Sequence, residues 1–196
     1  MILKILYTIN KNRNRVNRLA IYSHSSILTE NEIDFLLDLL PITYSTKPDI
    51  YIFDGWQEIA TLSKNLSARY YLLKHLVKSS IFSTYNYQQS KIFIYLFNLP
   101  YQDPLLKKLH GVFCLFHEMR HHHQFTTNKH KFLQALSGPP LLGSSYSFSW
   151  LEKDANKYAI KWMRKNRNKI NHQFQLHFYQ WDIGVNEQNK LRILPG

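Results

Sequence analysis

The chain has 196 residues, 44% of them hydrophobic and 19% charged, and a formal net charge of +12. That is long enough for one domain with a real hydrophobic core, and the composition excludes wholesale disorder. The single cysteine, Cys114, excludes an internal disulfide and a multi-cysteine zinc ribbon, and fits a reducing cytoplasm. No apolar run of about 18 residues exists to span a membrane, and Met1-Ile2-Leu3-Lys4 does not open a signal peptide. The expectation is a cytoplasmic protein with no membrane insertion.

Taken in chain order, Ile2 to Ile9 reads as a first strand, Lys11 to Arg18 as a turn, and Leu19 to Ser23 as a second strand, the two forming a hairpin. Thr29 to Leu40 is a predicted helix, with Thr29 and Glu32 in capping-box spacing and Pro41 as its stop. Asp49 to Phe53 is a short strand, and Trp56 to Lys78 is helical with a break near Asn65. Lys91 to Phe97 is the clearest strand and is apolar on both faces, which predicts cover on both. After a turn over Asn98 to Tyr101, Asp103 caps a helix that Pro104 opens and that runs to about Gln124. Ser137 to Ser149 is a loop, Trp150 to Lys165 a second strong helix, and Phe174 to Trp181 a last strand. The fold class is α+β in one domain spanning 1–196, with strands in the first half and helices in the second.

His117-Glu118-Met119-Arg120-His121 matches H-E-x-x-H inside the predicted helix. Positions i and i+4 of a helix share a face, so both imidazoles reach one ion. Glu118 lies about 100° further round the axis. It can sit beside the ion without being a ligand and serve as general base. A histidine-rich surface helix is the bland alternative, since His110, His122 and His123 are close by.

A catalytic zinc needs a third protein ligand. The metzincin pattern would place a histidine where Thr127 stands, so that class is excluded. The candidates are Glu152 and Asp154 on the helix after the loop. Glu152 is favoured, because Asp154 points about 200° away from it, and Asn156 falls on the face of Glu152, where it could hydrogen-bond the outer nitrogen of a ligand histidine. Ala155 and Ala159 would let the two helices approach closely. The competing reading makes Glu152 the partner of Ser149 in a capping box. The donor set suits zinc, with Fe(II), Mn or Co as alternatives. Tyr146, Tyr158 and His130 are candidate donors to an oxyanion, and Cys114 is expected in the core.

H-E-x-x-H followed by Glu152-Lys153-Asp154-Ala155-Asn156-Lys157-Tyr158-Ala159 resembles the gluzincin metallopeptidases of the ImmA/IrrE type, over a core of about 91–165. The resemblance implies Zn2+ on His117, His121 and Glu152, with Glu118 as general base. It also implies a single zincin-like domain: a small mixed sheet, an active-site helix and a second ligand-bearing helix. The substrate would be a protein or peptide, such as a repressor or other regulatory protein of a bacterium or phage, held extended along an edge strand for which Lys91 to Phe97 is the candidate. Arg120 stands where the family usually has glycine, and Phe125 where it often has histidine.

Two other functions fit the residues. One is a zincin-like metal-binding regulator without proteolysis. The other is a basic nucleic-acid-binding protein, resting on the net charge and on clusters at Lys11 to Arg18 and at Arg164, Lys165, Arg167 and Lys169. No helix-turn-helix or zinc-knuckle pattern supports the latter.

Overall fold

The computed structural model describes residues 20–23, 25–41, 47–62, 81–137, 150–176, 180–185 and 191–195. The segments read above as a strand at 2–9, a basic turn at 11–18, a helix beyond 62 and a loop at 138–149 lie outside them. The architecture is mixed α and β.

A four-stranded sheet is built from β1 (Ile21–Ser23), β2 (Asp49–Phe53), β3 (Ser83–Asn86) and β4 (Lys91–Tyr95) in the order β1-β2-β4-β3. β1, β2 and β4 are parallel, and β3 runs antiparallel along β4. The partner found for Ile21–Ser23 is therefore β2, joined through a crossover.

β4 is an interior strand, not the edge strand expected of it. Its two apolar faces are the reason. Ile92 and Ile94 join Ile50 and Ile52 in the main core, while Phe93 and Tyr95 form a second cluster with Tyr51, Phe53 and Ile59 on the opposite face. A strand buried on both sides belongs inside a sheet. Among the described residues the two edges are β1 and β3, and β3, the edge beside β4, is a strand the sequence reading did not predict. A hairpin returns β3 to β4 without glycine: the Asn86 side chain accepts from the backbone N–H of Gln88 and Gln89, and Ser90 takes φ 51°.

α1 (Glu30–Asp38) carries the predicted cap, with Thr29 and Glu32 bonded reciprocally, and it buries Ile33 and Leu36 on the sheet. α2 (Trp56–Leu62) sets Ile59 on the opposite face. α3 (Pro104–Thr127) is capped as expected, Asp103 accepting from the N–H of Leu105 and Leu106. Every residue from Leu109 to Met119 is buried, because the sheet covers one side of α3 and α5 (Trp150–Lys165) the other. Gly111 permits the close approach to the turn that follows β4, since a Cβ there would lie 3.0 Å from Leu96 Cδ2. Between these helices runs α4 (Lys129–Ser137).

Of the expected strand over Phe174 to Trp181, residues 174–176 are not strand, 177–179 lie outside the described residues, and only Trp181 is in a strand. α6 (Arg167–Gln173) ends at Phe174, and the strand begins at Trp181. Phe174 and Leu176 look like alternating strand residues because both enter the core as the chain leaves the helix. β5 (Trp181–Val185) pairs antiparallel with β6 (Leu191–Pro195) in a second, two-stranded sheet, so strands are not confined to the first half. Asp182 on β5 holds both Arg164 and Arg167, at 3.1 and 2.8 Å. Two cations of that basic cluster are thus engaged within the chain. None of the described helices is long and apolar enough to cross a membrane.

Candidate metal centre

His117 and His121 lie one helical turn apart on α3, and Glu152 lies in the first turn of α5. The fold brings the three together. His117 Nε2 is 3.0 Å from His121 Nε2, and the Glu152 carboxylate spans both, with Oε2 3.2 Å from His117 and Oε1 3.3 Å from His121. Ala155 and Ala159, both fully buried, permit the helix contact that makes this possible. Four ligands at about 2.0–2.1 Å around a tetrahedral ion stand about 3.3 Å apart. The imidazole separation is near that value, and one ligand atom from each of the three residues lies within 4.8 Å of the others, so the group is one able to hold a metal ion. Glu152 is engaged by the histidines, which favours the ligand reading over the capping one.

The tautomer of His121 follows from its neighbour. Gln124 Nε2 donates to Leu151 O at 3.2 Å and to Asp154 Oδ2 at 2.7 Å. Its Oε1 then faces His121 Nδ1 at 2.8 Å, and that nitrogen must carry the proton. In the neutral ring Nε2 is left as a lone pair aimed at the other two ligands, the state a metal requires. Gln124 thus takes the part expected of Asn156. The outer nitrogen of His117, Nδ1, is buried without a hydrogen-bond partner.

Burial alone would lower the pKa of His121, but its hydrogen bond to Glu152, with the charges of Glu152 and Glu118, outweighs this and raises it to about 9. Burial pushes Glu152 up. Hydrogen bonds from His117 and His121 outweigh it and hold the carboxyl well below its ordinary range. A negative charge and the imidazole proton it attracts therefore share an enclosed space.

Glu118 is buried beside the ligands and is not one of them. Ser83 Oγ, on the edge strand β3, donates to Glu118 Oε1 at 2.6 Å. Asp154 is not in the ligand group. It accepts from Arg120, Nε at 2.7 Å and Nη2 at 3.3 Å, and from Gln124. Arg120, in the position where glycine was expected, thereby ties α3 to α5, and its guanidinium lies 5.2 Å over the Tyr158 ring. His130 is exposed in the first turn of α4, and Tyr146 lies outside the described residues. Cys114 is buried, and burial raises its pKa to about 12, so it is a core residue and not a nucleophile.

The sequence reading missed Ser83 and Gln124. Gln124 was within reach, since it follows His121 by three residues on the same helical stripe. No local signal marks Ser83, whose contact with Glu118 spans 35 residues of chain. No family model, curated protein or solved structure matches the chain.

Proposed function

We propose that the chain is a zinc-dependent metallopeptidase of the kind its motif pair resembles, the ImmA/IrrE-type gluzincins, acting in the cytoplasm on a protein substrate. The observation that carries this reading is the cluster of His117, His121 and Glu152, with the imidazoles 3.0 Å apart and the two carboxylate oxygens 3.2 and 3.3 Å from them, beside a buried Glu118 outside that cluster.

Zinc held by these three side chains would supply a Lewis acid and bring the pKa of a water it holds towards ~7. The chain supplies the rest. With Ser83 occupying Oε1, Glu118 keeps Oε2 to take a proton from water and pass it to the leaving amine. Among the described residues the outer side of β3 has no strand neighbour, and an extended peptide can add there as a further strand. Ser83 ties that same strand to the general base, so the peptide would be held next to the group that acts on it.

The test is the metal content of purified, untagged protein. About one zinc per chain, lost in both His117→Ala and Glu152→Ala, supports the site. Cleavage of an unfolded protein substrate should then vanish in Glu118→Gln while zinc is retained. A wild-type protein that takes up no metal when zinc is supplied would overturn the reading.

A further inference from the structure

Beside the metal centre, between α3, the start of α4 and α5, is an open hollow of about 490 Å3. None of the metal ligands and no part of Glu118 lines it. Among the described residues its walls carry Arg120, Lys131, Lys153 and Lys157 with one carboxylate, Asp154, which is held by Arg120 and Gln124 at 2.7 Å each. Lys153 and Lys157 are an i, i+4 pair of like charge, an arrangement that disfavours the helix carrying it. Lys131 faces them from a different helix. Cations gathered on a concave surface repel one another and raise the local potential, and an anion placed among them relieves both effects.

The hollow also has an aromatic wall. Trp150 is 41% exposed, and Lys131 Nζ sits 4.6 Å over its ring. A large apolar side chain in water is unfavourable, and an indole beside cations is how proteins hold a flat ring that carries phosphate. The volume falls within the range of small-molecule sites, roughly 300–1,000 Å3, and is more than a bare phosphate needs.

We propose that this hollow binds a nucleoside phosphate, with the phosphates among Lys131, Lys153, Lys157 and Arg120 and the ring against Trp150. The site is independent of the metallopeptidase reading and stands whether or not zinc is bound. ADP, inorganic pyrophosphate and adenosine are to be titrated calorimetrically into the full chain at low salt. Measurements cover wild type, Trp150→Ala and the double variant Lys153→Ala with Lys157→Ala. All three positions are exposed, so thermal melts should stay close to wild type. ADP should bind, and more tightly than either pyrophosphate or adenosine. The double lysine variant should weaken ADP at least roughly tenfold. Trp150→Ala should weaken ADP by roughly five- to tenfold and leave pyrophosphate unchanged. The proposal is overturned by any of three results: no ADP binding, ADP affinity unchanged in every variant, or pyrophosphate binding as tightly as ADP with Trp150→Ala without effect.

Discussion

Ser83 on the edge strand and Glu118 on the ligand helix are joined by a 2.6 Å hydrogen bond, the hydroxyl donating to Oε1. A hydrogen bond to a charged group contributes about 1.5–3 kcal/mol, and this one leaves a single carboxylate oxygen free for proton transfer. Ser83→Ala should therefore lower peptidase turnover roughly ten- to a hundredfold, with the metal content unchanged. Ser83→Thr, which keeps the hydroxyl, should recover much of the loss. Zinc analysis alongside turnover separates the alternatives: metal lost together with activity would mean that Ser83 supports the fold and not the base.

Gln124 fixes His121 through Nδ1 and is itself fixed by Leu151 O and Asp154. Removing such a partner of a metal ligand typically lowers metal affinity about 10–100-fold. Gln124→Leu should show a loss of that order in competition with a chelator, while Gln124→Glu, which still accepts from Nδ1, should lose less. Wild-type affinity in Gln124→Leu would show that the ring is held by packing alone.

The parts of this site that were legible in sequence are those with local signals. Asp103-Pro104 announces the start of α3, and the i, i+4 histidines need only the helical period to meet. Glu152 was reachable because few carboxylates follow the motif. What could not be read depends on chain segments far apart. Ser83-Thr84-Tyr85-Asn86 has no strict alternation, and its hairpin turn rests on an asparagine side chain and a serine at positive φ, not on glycine. The edge position of β3 follows from which strand pairs with β4, and the two apolar faces of Lys91 to Tyr95 already argued for an interior place. The twin anchoring of Asp154 is of the same kind: the helical period turned it about 200° from Glu152, but nothing local named Arg120 and Gln124 as the partners that occupy it.

Proton and metal compete for His121. With no ion bound, burial lowers this imidazole, but Glu152 and Glu118 outweigh it and raise its pKa to about 9. A ligand nitrogen must be free of its proton, so metal binding displaces that proton at any pH below this value. Apparent zinc affinity should therefore fall as the pH drops from about 8.5 to 6.5, by roughly tenfold per unit for one displaced proton. Competition with a chelator of known proton affinity measures this slope. A flat profile would remove His121 from the ligand set.

His110 lies outside the metal centre, packed edge-on against Phe82 and Phe113 at 5.1 and 6.0 Å between ring centres. Its Nδ1 has no hydrogen-bond partner, and burial lowers its pKa to about 3. The unfolded chain binds a proton at this residue near pH 6.5. Between about pH 6.5 and 3 the unfolded state therefore holds one more proton than the folded state, and stability falls as the pH falls through that window. The slope from this residue is about 1.4 kcal/mol per pH unit. His110→Leu, of similar volume, should remove it. Urea unfolding of both proteins between about pH 6 and 4.5 should give a difference in stability that grows in favour of the variant as acid is added. A difference that stays constant with pH would mean that His110 is protonated in the folded protein, and that its burial costs nothing in acid.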